Sequence, residues 1–187
     1  KEYFTALRDK ISAVGSTRAE DVVNRAESYY SSLYTELEKP SQIIPQLREN
    51  RVFPDINQRI NIKEIGDKQR FLIGDEMGLG KSASAILSKE YLGARCALIV
   101  APSNVIPTWQ EYLSDHQDTE GRPSGYFNAG EVPRVLTVES VEDLEGIHQS
   151  QYDYVLLSQE RLNDRHMNLL QDLQYVMLIV DEAHKLK

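Results

Sequence analysis

Short, almost unbroken apolar runs set the strongest limit on what this chain can fold into. Residues 96–101, 135–138, 152–158 and 175–181 are each too short for a free-standing helix, and residues 70–74 read as a fifth run of the same kind. Between them lie stretches with helical spacing, which predict helices over 58–65, 81–92, 105–114, a short 141–146 and 161–173. A strand that is apolar on both faces needs cover on both. Such strands alternating with helices therefore predict an α/β fold, a parallel sheet with helices on both faces.

The front of the chain reads differently. Residues 1–39 are predicted helical, with Thr17 and Glu20 spaced as a capping box. After them Val22, Ala26, Tyr29 or Tyr30, Leu33 and Leu37 recur at helical spacing until Pro40 stops the run. The tyrosines fit a packing stripe better than a surface for stacking bases. Pro40, Pro45 and Pro54 mark an irregular entry into the α/β part of the chain. The expected organisation is a small helical segment at 1–45 and an α/β lobe at 46–187. Residues 118–131, with three glycines and few apolar side chains, read as a surface loop.

The segment Gly74-Asp75-Glu76-Met77-Gly78-Leu79-Gly80-Lys81-Ser82 follows an apolar run and opens a helical stretch, the setting of a phosphate-binding loop. Gly78 and Gly80 allow positive φ and close approach of the backbone to an anion. The loop amides and the helix N-terminus aim N–H groups at it. In that arrangement Lys81 neutralises the β- and γ-phosphates and the Ser82 hydroxyl ligates Mg²⁺. The strict pattern G-x-x-x-x-G-K-[ST] has its first glycine where this chain has Asp75, so a plain glycine-rich turn is the competing reading of the loop alone.

A second motif favours the nucleotide. The run Val176-Met177-Leu178-Ile179-Val180 ends in Asp181-Glu182-Ala183-His184, 100 residues after Lys81. Carboxylates at the C-terminal end of a buried strand stand at the sheet edge where α/β proteins bind ligands. Asp181 there can hold Mg²⁺, and Glu182 can polarise an attacking water.

Together these residues resemble the Swi/Snf-type helicase-like ATPases, superfamily-two proteins with a DEAH-containing second nucleotide motif. Asp75-Glu76-Met77-Gly78-Leu79-Gly80-Lys81-Ser82 is similar to that family's D-E-M-G-L-G-K-[ST] loop, in which aspartate stands where other loops have glycine. Ala101-Pro102-Ser103 followed by Trp109 resembles the next motif, whose loop approaches the DNA backbone. Tyr152-Asp153 leading to Ser158-Gln159-Glu160 resembles the one after it, which makes Pro102, Ser103 and Ser158 candidate DNA contacts. Gln58 stands 23 residues before Lys81, close to the spacing of an adenine-recognising glutamine. Two readings of it stay open, adenine recognition and a solvated helix glutamine. Trp109 is open between a DNA role and a half-buried helix aromatic. His184 is implied to couple the nucleotide site to the rest of the machine.

The resemblance spans about residues 54–187 and implies the N-terminal part of a first RecA-like lobe, incomplete at its C-terminus, with ATP and Mg²⁺ as cofactors. In the family a strand following DEAH lies between the strands bearing the two nucleotide motifs, so a gap in the sheet is expected here. A second lobe supplies arginines, and an arginine finger is worth about 10³–10⁵ in rate. The expected function is the ATP-binding lobe of an ATP-dependent double-stranded DNA translocase or remodeller, nucleoid-associated if bacterial and nuclear if eukaryotic. On its own this piece is expected to bind ATP–Mg²⁺ weakly and hardly turn over. The alternatives are a restriction-type or other superfamily-two motor, and a non-catalytic nucleotide-binding interaction module.

Composition trims the field. The single cysteine, Cys96, excludes an internal disulfide and reads as a small buried thiol in an apolar run. No apolar run approaches the roughly 20 residues that span a bilayer, and no charged-then-apolar leader opens the chain. A formal net charge of −8 argues against a strong basic footprint, so contacts to DNA are expected through loop amides and short side chains. His116, His148 and His166 have no ligand spacing. Lys1 at one end and Lys185-Leu186-Lys187 at the other lead us to expect that both ends are cuts.

Overall fold

A computed structural model describes residues 2–12, 17–37, 54–76, 78–114, 132–145, 151–172 and 177–185. Met77, Pro40, Pro45, His116, His148 and the predicted loop at 118–131 lie outside these residues.

The helices are α1 (Glu2–Ser12), α2 (Thr17–Leu37), α3 (Ile56–Lys68), α4 (Lys81–Leu92), α5 (Ile106–Tyr112) and α6 (Asp164–Asp172). The strands are β1 (Ala97–Ala101), β2 (Val135–Val138), β3 (Tyr154–Ser158) and β4 (Met177–Val180). They form one sheet in the order β2-β3-β1-β4, and every neighbouring pair is parallel. The α/β fold expected from the sequence is present, preceded by helices.

Alternation along the strands explains the two layers. Ala97, Ile99 and Ala101 of β1 point to one face, where they pack with Ala85 and Ile86 of α4, Ile106 and Trp109 of α5, Leu156 of β3 and Ile179 of β4. Leu98 and Val100 point to the other face and meet Val155, Leu157, Leu144 and Leu170 of α6. Each such aliphatic side chain gains about 1.5–3 kcal/mol from leaving water. Cover is incomplete towards β4, where Leu178 is 61% exposed.

Residues 70–74 do not form the expected strand. A strand exists only through a hydrogen-bonded neighbour, and among the described residues none pairs with 70–74. Residues 71–76 are irregular, and Leu72 is 79% exposed instead of buried. Among the described residues β4 is laddered to β1 alone.

The N-terminal helices dock onto the lobe. Leu33 and Leu37 of α2 pack on Ile62 of α3 and Leu87 of α4. The stripe differs from the expected one at its start, because Val23 is buried while Val22, Tyr29, Tyr30 and Tyr34 are exposed. Tyr29 also donates its hydroxyl to the buried Glu64, which pairs with Lys68 one turn on. That carboxylate holds the Tyr29 phenol above its usual range. Thr17 is already helical, so it is not the N-cap of α2. Arg8 of α1 returns to Asn24 of α2 at 2.9 Å. No helix among the described residues is long and apolar enough to cross a membrane.

Candidate functional site

The direction of α4 decides which residues meet. The helix ends at Leu92, Gly93 caps it in a left-handed conformation, and β1 begins at Ala97. So short a connection puts the C-terminal end of α4 beside the N-terminal end of β1. Lys89 confirms this, with its Nζ 4.9 Å from the ring centre of Tyr154, the first residue of β3. Lys81 lies eight residues earlier, about 12 Å back along the helix axis. With Ala85 and Ile86 of α4 in one core with β1, this is the arrangement of a helix that runs back along the strand, its N-terminus directed towards the C-terminal edge of the sheet. Asp181 stands on that edge too, with its N–H donated to the Val100 carbonyl at 2.9 Å.

At this end of α4 the backbone is shaped for close approach. Gly78 has φ +86° and Gly80 φ +70°, values that side chains rarely permit. Gly80 is the N-cap of α4, with Lys81 and Ser82 in the first turn, and as a glycine it offers the helix amides no capping side chain. Open space surrounds the Cα of Gly78. The Lys81 ammonium rests on the carbonyls of Asp75 and Glu76, each at 2.9 Å. Those neutral acceptors are weaker partners than a phosphate, which draws a lysine as a compact point charge. Glu76 and Leu79 are exposed beside it.

The polar face of α3 holds the loop from below. Asp55 and Gln58 form the capping box of α3: the Gln58 N–H donates to Asp55 Oδ1 at 2.9 Å, and the Asp55 N–H donates to Gln58 Oε1 at 3.0 Å. The remaining amide nitrogen of Gln58 lies against Gly80. One turn further, Asn61 Nδ2 donates to Asp75 Oδ2 at 2.6 Å. Asp75 thus uses its side chain as a tether to α3, which a glycine there could not provide. No motif in the sequence singles out Asn61. Its spacing of three from Gln58, on one helix face, is the available signal.

The other strand ends complete the edge. The Asp181 carboxylate accepts from the Glu182 N–H at 2.8 Å through Oδ1 and from the Trp109 indole at 2.9 Å through Oδ2. Gln159, just after β3, donates to the Asp181 carbonyl at 2.6 Å. Glu182 has φ +50°, an uncommon conformation for a side-chain-bearing residue. Its carboxylate lies 3.2 Å from His184 Nδ1. After β1, the Ser103 N–H donates to Glu160 Oε2 at 2.9 Å.

Of the candidate DNA contacts, Ser103 is exposed, whereas Pro102 is buried and Ser158 is 6% exposed with no hydrogen-bond partner for its hydroxyl among the described residues. Trp109 is 2% exposed, a core residue rather than a half-buried one. His166 of α6 is buried, with its Nδ1 2.9 Å from Oδ1 of Asn163.

The donor set suits a nucleotide with Mg²⁺. Among the described residues no three metal-ligating side chains cluster, so they offer no all-protein cage. One carboxylate (Asp181) and one hydroxyl (Ser82) are hard oxygen donors of the kind Mg²⁺ uses when phosphates and water complete its shell. Fold and edge together define an α/β protein with a glycine-bearing turn opening α4 and a pair of carboxylates just after β4.

Residues 24–187 match the SNF2-related domain, and the chain belongs to that family. The match begins inside α2, earlier than the resemblance that starts at about residue 54. The chain is 31% identical over 134 residues to the "ATP-dependent helicase rhp16" of Schizosaccharomyces pombe, covering 62% of this chain and 14% of that protein. It is 27% identical over 121 residues to the mouse "Chromodomain-helicase-DNA-binding protein 1-like", covering 62% and 13%. It is 26% identical over 121 residues to the "Uncharacterized ATP-dependent helicase YqhH" of Bacillus subtilis, covering 62% and 18%. The matched region is thus less than a fifth of each relative.

Proposed function

We propose that this chain is the ATP–Mg²⁺-binding lobe of a helicase-like ATPase that translocates on double-stranded DNA and remodels what is bound there. The reading rests on one observation above all. The connection from α4 to β1 is short and Ala85 and Ile86 of α4 share a core with β1, which supports a helix running back along the strand with its Lys81 end towards the edge of Asp181. The names of the relatives, each an ATP-dependent helicase or a chromodomain helicase, support the same class.

In this reading the loop Asp75-Glu76-Met77-Gly78-Leu79-Gly80 wraps the phosphates with its amides, and Lys81 balances their charge. Ser82 and Asp181 hold Mg²⁺, which supplies charge neutralisation when bound. Glu182 orients the attacking water and accepts its proton, while His184, in contact with Glu182, transmits the state of the site. Gln58 turns its amide to adenine once the capping box yields. Ser103, Pro102 and Ser158 mark the strand-end loops that face DNA; for Ser158 this requires the loop after β3 to open. Residues 1–45 form a helical segment and 46–187 the lobe proper. Hydrolysis belongs to the intact protein, with a second lobe contributing an arginine, and this chain alone hardly turns over. The intact protein works where DNA is, on the nucleoid or in the nucleus.

The test is Glu182→Gln in the intact protein. ATP binding survives and DNA-dependent hydrolysis is lost if Glu182 handles the water. Unchanged hydrolysis overturns the assignment, and an intact wild type with no hydrolysis at all favours a nucleotide-binding interaction module.

A further inference from the structure

Asp181 is held by hydrogen bonds at its N–H, its carbonyl and both carboxylate oxygens. Its N–H is donated to Val100 of β1 and its carbonyl accepts from Gln159 at 2.6 Å. Oδ1 accepts from the next amide in the chain, and Oδ2 accepts from the Trp109 indole at 2.9 Å. An indole is a donor only, and a buried one must find an acceptor. Trp109 is locked in the core among Ala85, Ile86 and Ile179 and meets Tyr112 edge-on at 6.2 Å. It has no freedom to follow the carboxylate; the carboxylate must follow it. Each oxygen keeps a second lone pair for a further partner.

The same two supports lead back to the loop after β1. Trp109 sits in the first turn of α5, whose entry is a turn closed by the Val105 N–H donating to the Pro102 carbonyl at 2.8 Å. Next to Gln159, Glu160 accepts from the Ser103 N–H. Residues 102–105 are therefore tied to Asp181 twice, once through a helix and once through a turn.

We infer that Trp109 is a positioning residue that fixes the metal-binding carboxylate of Asp181, with Gln159 as its second support, and that both link the loop at 102–105 to the metal site. This deepens the nucleotide reading and rests on it. Outer groups that orient a metal-binding carboxylate change metal affinity by about 10–100-fold when removed.

The experiment is calorimetric titration of ATP into this chain, with Mg²⁺ and with EDTA, for wild type, Trp109→Phe and Gln159→Ala. Wild type binds more tightly with Mg²⁺. Trp109→Phe, which keeps an aromatic ring and loses the donor, weakens the Mg²⁺-dependent binding about tenfold and leaves the metal-free binding unchanged. Gln159→Ala moves the same way by less. Equal loss with and without metal, or no loss, overturns the inference while leaving the nucleotide site standing. Absence of any Mg²⁺-dependent binding by wild type overturns the site itself. Should Trp109→Phe fail to fold, wild type supplies the second readout, since Trp109 is the chain's one tryptophan. Adding Mg²⁺ to the ATP complex shifts its emission, and Asp181→Asn abolishes the shift; an unmoved emission overturns the inference.

Discussion

The side-chain amide nitrogen of Gln58 occupies the space that any side chain at Gly80 would need. Two constraints thus meet at one residue, a φ of +70° and a neighbour already in place. Gly80→Ala is expected to cost about 1–2 kcal/mol for the left-handed backbone alone, more for displacing Gln58, and to impair ATP binding. In a urea-denaturation double-mutant cycle, Gln58→Ala recovers the steric part in the Gly80→Ala background. Strict additivity would refute the contact.

Asn61 makes a second prediction. A hydrogen bond to a charged group is worth about 1.5–3 kcal/mol, and Asn61 is 6% exposed, so little water replaces it. Asn61→Ala should lower unfolding free energy by about that much and weaken ATP binding by freeing Asp75. Denaturation and nucleotide titration of the variant check both halves.

Leu37 tests whether the N-terminal helices are part of the folded unit. Its side chain is buried against Ile62 and Leu87. Leu37→Ala is expected to cost about 2–5 kcal/mol in chemical denaturation. A cost near zero would mean that α2 contributes nothing to the lobe.

Cys96 supplies the alkaline prediction. Burial, aided by Asp153 and opposed by Lys89, pushes its thiol up to about 11. Above the ordinary thiol range, near 8.5, the unfolded chain loses this proton while the folded chain keeps it. The group's contribution is therefore whole below about pH 8.5 and declines as pH rises towards 11, by about 3 kcal/mol in all. Wild type should lose stability over that window more steeply than Cys96→Ala. In the folded state Cys96 should also resist iodoacetamide at neutral pH.

What can be read from the sequence depends on how local the causes are. The strand Val135–Val138 and the helix Lys81–Leu92 lie within their predicted bounds because the spacing of apolar residues, and for the helix a glycine at each end, defines them. Residues 70–74 differ because a strand needs a partner, and a five-residue window holds no information about which edges are taken. The spacing at Thr17 and Glu20 predicts a capping box, but the box forms at Asp55 and Gln58, where the same spacing is present and adenine recognition competes as a reading of the glutamine. Neighbours in sequence say little about Trp109, whose decisive partner lies 72 residues away. The acidic pair and the lysine loop stand out in the sequence since their proposed chemistry is carried by adjacent residues. Asn61 and Gln159 act only through folding, which brings their amides to groups far along the chain.

The central claim is that Lys81 and Asp181 serve one nucleotide. Its most direct test is a calorimetric titration of ATP, with and without Mg²⁺, into wild type, Lys81→Ala and Asp181→Asn. The account predicts Mg²⁺-dependent binding by wild type, loss of binding in Lys81→Ala, and loss of the Mg²⁺ dependence alone in Asp181→Asn. Two variants that bind ATP–Mg²⁺ as wild type does would contradict it.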